Sequence, residues 1–187
     1  HIPGLKVVCP STPYDTKGLL IQSIRDNDPV IFLEHKNLYG FEGEVPEQSY
    51  AIPFGEANVV RDGKTVSIVT YGLMVHRALD AAATLAKEGI EAEVIDLRTL
   101  SPLDIDTVLE SVGKTGRLVC VDEANPRCSI AADVSAQVAQ QAFRSLKGPI
   151  EMVTAPHTPV PFSPVLEDLY IPSAAQIAAA AKRTMVH

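Results

Sequence analysis

The chain of 187 residues predicts an α/β fold built on a doubly wound, mostly parallel sheet. Two observations carry that expectation. The stretch from Thr65 to Pro102 reads as a complete strand–helix–strand unit, and the same alternation continues to the C-terminal end. A third observation concerns the beginning: residues 5–33 form one such unit and then stop, so a short α/β piece precedes the regular domain.

Leu5–Cys9 is the first expected strand. Thr12-Pro13-Tyr14-Asp15 then supplies a capping hydroxyl, a proline at the first helical position and a carboxylate in the first turn. The helix is expected to run to about Asp26, with Leu19, Leu20 and Ile24 on its apolar side, and to end in the turn Asp26-Asn27-Asp28-Pro29. Val30–Leu33 is wholly apolar, which reads as a strand buried on both faces. A single unit cannot cover both faces of its strands, so it calls for sheet that this chain does not contain. Glu34 to Phe54 holds Gly40, Gly43, Pro46 and Pro53 without a sustained period and reads as a linker.

Glu56–Val60 is a strand leading through Asp62-Gly63 into the strand Thr65–Thr70. Met74, Ala78, Ala82 and Leu85 recur at helical spacing, with Lys87 in the last turn and Gly89 as the stop. Ala92–Asp96 is the next strand. A helix joins it to Thr65–Thr70, so the two must be parallel with a right-handed crossover. Ser101-Pro102-Leu103-Asp104 repeats the cap pattern, Ser101 as cap, and predicts a helix over Pro102–Lys114. Strand Arg117–Asp122, helix Ser129–Ser145, strand Ile150–Thr154, a loop and helix Ala174–Met185 follow; Ser173 and Gln176 form a capping box for the last. The chain lacks an initiator Met and a strand begins almost at once, so it is expected to be the back part of a longer protein.

The net charge is −7 with no basic block, which disfavours a nucleic-acid partner. No apolar run reaches membrane-spanning length, and the first residues carry neither the basic nor the apolar part of a signal peptide. Cys9, Cys120 and Cys128 are odd in number and lack disulfide or zinc spacing; they are expected to be reduced thiols in a cytoplasm. Cys9 and Cys120 sit in apolar runs, Cys128 in a loop.

Working residues of open α/β sheets lie beyond the carboxyl ends of the strands. Asp96, Arg98, Asp122, Glu123 and His157 either line a polar crevice there or act as helix caps and ion pairs. GxGxxG, GxxxxGK[ST], GxSxG and HExxH are all absent, and nucleotide binding is disfavoured. His76 is expected at a surface or interface, His157 as a structural loop residue, and His35 as a site residue or a partner contact. The turn Asp26-Asn27-Asp28 is either an ordinary cap or an oxygen-rich seat for a cation, since helix C-termini present free carbonyls.

HIPGLKVVCPSTPYDTKGLL, IRDNDPVIFLEH, EVIDLRTLSPLD, ESVGKTGRLV, DEANPRCSIAADVSA and TPVPFSPVLEDLYIP span most of the chain. Together they resemble the second half of beta subunits of the thiamine-diphosphate-dependent decarboxylating component of 2-oxo-acid dehydrogenase complexes. DEANPRCSIA, IEMVTAPHTPVPFS and VCPSTPYD look closest to the acetoin dehydrogenase branch. The resemblance implies that residues 1–54 are the tail of a pyrimidine-binding thiamine diphosphate domain plus linker. Residues 55–187 would be a transketolase C-terminal-like domain. It implies a heterotetramer with an alpha subunit and a second beta subunit, serving a lipoyl-bearing core acyltransferase. The family's cofactor-activating Glu and catalytic His lie upstream, His1 is neither, and the alpha subunit holds the diphosphate and magnesium. No catalytic or cofactor-binding residue is therefore assigned here, and the chain alone is expected to be inactive and to self-associate. The one site that carries over is a structural potassium ion, at Ser23, Ile24, Asp26 and Asp28. The alternatives are a pyruvate or branched-chain 2-oxo-acid enzyme, or a stand-alone assembly module of the same fold.

Overall fold

The structure, a computed structural model, describes residues 2–186; His1 and the expectation attached to it lie outside them. The chain opens with β1 (Lys6–Val8), α1 (Pro13–Arg25) and β2 (Val30–Phe32). After a 3₁₀ turn at Lys36–Leu38 it continues with β3 (Asn58–Arg61), β4 (Val66–Thr70), α2 (Leu73–Ala86), β5 (Ala92–Asp96) and β6 (Thr99–Ser101). Then come α3 (Ile105–Thr115), β7 (Leu118–Asp122), α4 (Ile130–Gln141), β8 (Glu151–Thr154), α5 (Pro164–Tyr170) and α6 (Ala174–Arg183).

The larger sheet has the order β3-β5-β4-β7-β8. β5, β4, β7 and β8 run parallel, and β3 lies antiparallel on β5. This is the doubly wound α/β architecture the alternation implied. β3 precedes β4 in the chain but does not pair with it, because β5 takes the edge of β4 first. Val66, Ile68, Val94 and Val119 face α2 and α6, while Val69, Ile95 and Cys120 face α3 and α4. The central strands β5, β4 and β7 are thus buried on both faces, whereas β8 at the edge is only partly covered. Leu85 of α2 is fully buried in the first of these layers. A side chain of its size contributes roughly 1.5–3 kcal/mol through burial. Helix α2 closes as expected: Gly89 has φ 79°, and Ile90 N–H reaches back to Leu85 O at 3.1 Å.

The smaller sheet has the order β2-β1-β6. β1 and β2 are parallel, as a strand–helix–strand unit requires, and the third strand comes from beyond β5. That strand was not legible. Ser101, expected as a helix cap, instead pairs with Val7, and its hydroxyl donates to Leu5 O at 2.9 Å. The helix starts three residues later, capped by Asp104, whose carboxylate accepts from Thr107 N–H at 3.1 Å. A long-range strand partner displaced a local cap signal. The expected linker also does more than connect. Ile52 is buried against Leu19 and Val8, Tyr50 stacks on Tyr14 at 4.5 Å, and its hydroxyl donates to Tyr14 O.

Two further readings need correction. Of the apolar side expected for α1, only Leu19 is buried, while Leu20 and Ile24 are exposed. β2 is not covered on both faces, since Ile31 and the following Leu33 are each more than 40% exposed. Helix α5 was missed because no residue of it is buried, so no periodic apolar face marks it; its start signal, Ser163-Pro164 with Glu167 in the first turn, lies in a proline-rich loop. Exposed apolar surface on α1 and β2 favours association. Light scattering at tens of micromolar should therefore give a dimer or larger species, and a monodisperse monomer would contradict this.

Candidate functional site

The carboxyl ends of β4, β5 and β7 meet the carboxyl end of β1 at one junction between the two sheets. In the larger sheet the chain leaves β4 toward β5 on one side and returns to β7 on the other. The topological switch point therefore lies between Tyr71 and Asp122. Asp122 is buried there. It accepts from Tyr71 Oη at 2.7 Å, Ala124 N–H at 2.9 Å and Ala131 N–H at 3.2 Å, the last at the start of α4. Burial, reinforced by Asp122, raises the Tyr71 phenol above its ordinary range.

The first unit fills the rest of this crevice. Cys9, buried beside Gly72, is pushed up to about 12 by burial and by the carboxylates of Asp96, Glu123 and Asp122, so it stays a thiol. Ser11 donates to the buried Asp96, whose other oxygen accepts from Arg98 N–H at 3.0 Å. The Arg98 guanidinium pairs with Asp15 at 3.3 Å and donates to Glu56 O and Ala57 O. Arg98 holds a φ of 55°, a conformation that turns the chain sharply between β5 and β6. His35 bonds Glu123 at 3.0 Å and His76 bonds Ser11 O at 2.8 Å. The Glu123 carboxylate raises the His35 pKa above its ordinary value against the opposing effect of burial.

Of the crevice candidates, Asp96, Arg98, Asp122 and Glu123 are thus consumed as caps and ties, and His157 stays exposed in the loop after β8. His35 is an internal contact. His76 is half-buried against Phe41 rather than on the surface. The missed members of this cluster are Ser11 and Asp15; the Thr12–Asp15 cap pattern marked Asp15 only as a helix-start residue. Two cavities flank the junction. One of about 740 Å³ is lined by Tyr71, Asp122, Cys128 and Ser129. The other, about 500 Å³ and mostly apolar, lies between α1 and the segment Glu34–Val45. As the sequence suggested, Cys9 and Cys120 are buried and Cys128 is exposed.

At the end of α1 the structure brings Asp26 and Asp28 together around the Lys6 ammonium, at 2.7 Å and 2.9 Å. Lys6 holds the Asp26 carboxyl below its usual range. Ser23 Oγ donates to Leu19 O at 2.7 Å and the Ile24 side chain is exposed; both lie in the last turn of α1, whose final carbonyls have no partner within the helix. Among the described residues no group of three or more His, Cys, Asp or Glu could hold a metal ion. Also among them, no helix is long and apolar enough to cross a membrane.

Comparison with known proteins agrees with this architecture. Residues 55–177 match the transketolase C-terminal domain, and residues 1–42 match the transketolase pyrimidine binding domain. The chain is 85% identical over 185 residues to the acetoin:2,6-dichlorophenolindophenol oxidoreductase subunit beta of Cupriavidus necator, covering 99% of this chain and 55% of that one. Its identity to the Bacillus subtilis protein of the same name is 58%, over 92% of this chain and 50% of that one. To the pyruvate dehydrogenase E1 component subunit beta of Bacillus subtilis it is 53%, over 98% and 56%. The chain therefore spans about half the length of the curated relatives it matches. A solved structure titled split gene transketolase, inactive beta4 tetramer, superposes with a TM-score of 0.82 at 26% identity, covering 98% of this chain and 58% of that one. By its fold and by the match over residues 55–177, the chain belongs to the transketolase C-terminal domain family.

Proposed function

We propose that the chain is the C-terminal part of the beta subunit of a thiamine-diphosphate-dependent acetoin dehydrogenase. The complete enzyme cleaves acetoin and passes the acyl-type fragment to the lipoyl group of a core acyltransferase. The 85% identity over 99% of the chain carries this reading, against 53% for the pyruvate relative. Residues 1–54 are then the end of the pyrimidine-binding domain with its linker, and 55–187 the C-terminal domain. The thiamine ring, when bound with magnesium by the complete cytoplasmic heterotetramer, supplies an electron sink for carbon–carbon cleavage. This chain's part is assembly: its polar ties fix the two sheets against each other for docking with the alpha and second beta subunits.

The test is turnover of the complete alpha–beta pair with acetoin, pyruvate and branched-chain 2-oxo acids. Acetoin should give the highest kcat/KM, and preference for a 2-oxo acid would overturn the substrate. A second reading, a non-catalytic assembly module, draws on the inactive beta4 tetramer of the structural relative. A start codon immediately before His1 would favour it.

Potassium fits the end of α1. Pro29 disfavours a helical Asp28, so the last carbonyls of the helix stay free, and the helix end is partly negative. Lys6 already compensates the Asp26 and Asp28 carboxylates, which leaves a site of neutral carbonyls suited to a monovalent rather than a divalent ion. Ser23, Ile24, Asp26 and Asp28 would hold it. The heterotetramer should melt higher in potassium chloride than in choline chloride at equal ionic strength, and Asp26→Ala, which keeps the carbonyls but strips the adjacent Lys6 ammonium of its main counter-charge, should lose the difference. Equal melting of the wild type in both salts would refute the site.

A further inference from the structure

Residues 55–177 match one family domain, with an apolar layer on each face of the larger sheet. Residues 156–169, between β8 and α6, belong to neither layer. Ala155 and Pro172 are buried and pin the two ends, and the chain between them forms an exposed arch. Phe162 is 99% exposed, and Val160, Val165, Leu166 and Leu169 are exposed with it. Val165 and Leu169 lie one turn apart on α5 and so share a face. The arch has a set shape. Pro156, Pro159, Pro161 and Pro164 each fix a φ angle, the Tyr170 hydroxyl donates to Thr158 O at 3.3 Å, and the Leu166 and Glu167 N–H groups both donate to Ser163 O at 2.9 Å. Apolar surface already held in one conformation loses little entropy on binding. Contiguous exposed apolar surface marks a contact site, and an aromatic side chain at its tip is the type enriched in interfaces.

Two observations narrow the occupant. The exposed apolar residues of α1 and β2 belong to the first unit, which in the reading above is only the end of its domain. Those of the arch belong to the domain the chain contains, so completing the first unit is not their purpose. The second observation is charge. No Lys or Arg lies between Thr154 and Pro172, while Glu167 and Asp168 flank the apolar tip, and neither forms an ion pair among the described residues. A second copy laid arch to arch across a twofold axis would set these carboxylates against their own counterparts, and like charges in an interface oppose association. We propose that the arch, residues 156–170, is the surface on which the chain receives the alpha subunit, through an apolar socket for Phe162 bordered by Lys or Arg side chains that face Glu167 and Asp168. This rests on the heterotetramer reading and names the face that serves it.

The test uses the full-length beta subunit with its alpha subunit. A photoreactive benzoylphenylalanine placed at position 162 should give an alpha–beta adduct in the assembled tetramer. A beta–beta adduct, an adduct within one beta chain, or no adduct would overturn the proposal. Phe162→Ser should weaken alpha binding about tenfold or more in sedimentation velocity. Glu167→Lys combined with Asp168→Lys should weaken it strongly at low salt and less at high salt. These side chains lie outside the core, so the melting temperature of beta alone should not change in either variant. Unchanged alpha affinity in both variants would overturn the arch while leaving the heterotetramer reading intact; failure of the wild-type subunits to associate would overturn both. Should the benzoyl group block assembly, hydrogen exchange in the wild type decides. The Ile171 amide, bonded to Glu167 O at 2.9 Å, should exchange about tenfold more slowly in the tetramer than in beta alone, and equal rates would overturn the proposal.

Discussion

Arg98→Ala should destabilise the chain by about 3–5 kcal/mol, the range for breaking a buried ion pair by removing one partner. Its guanidinium is only 11% exposed and bonds Asp15, which is 4% exposed. The same group donates to Glu56 O and Ala57 O, so its loss also strips the segment entering β3 of its fixing contacts. Asp15 and Asp96 would then remain as buried carboxylates without a nearby cation. Arg98→Lys should fall between the two, since an ammonium keeps the charge but not the fork that reaches three acceptors. Urea unfolding with a two-state fit measures both. A midpoint unchanged by Arg98→Ala would show that the junction does not depend on this group.

Gly63→Ala should cost about 3 kcal/mol, at the upper end for forcing an extra methyl into packed structure. A Cβ at Gly63 would lie 2.2 Å from Glu93 N and 2.3 Å from Ala92 C, which are backbone atoms of β5 and cannot swing aside. The turn between β3 and β4 must then move off the sheet. That movement would also disturb Glu93, a buried carboxylate paired with Lys114. Ala at Gly40 is the control, because nothing lies within 4 Å of a Cβ there. Thermal unfolding that treats both substitutions alike would refute the crowding.

The larger sheet was legible because its three central strands are fully buried and its helices carry one-sided apolar periods. Ala92–Asp96 matches its expected bounds, and the Ser173–Gln176 capping box forms as read. The smaller sheet was half legible. β1, α1 and β2 follow local rules, but β6 depends on pairing between Val7 and Ser101, a contact that no local pattern encodes. The junction shows the same divide. Asp96, Arg98, Asp122 and Glu123 could be named from their place after strands, yet whether they faced a ligand or one another rested on where β1 and Ser11 would come. His76, expected at a surface or an interface, lies half-buried where the two units meet, and its partner there, Ser11 O, is 65 residues away in sequence.

The proposed role is assembly, with the catalytic groups of the thiamine-dependent subunit supplied from outside this chain. Calorimetric titration of thiamine diphosphate with magnesium into the 187-residue chain tests it most directly. No saturable heat is expected from this chain, while the complete alpha–beta pair should titrate to an end point. Saturable binding to the chain alone, tighter than about a millimolar or roughly −4 kcal/mol, would contradict it.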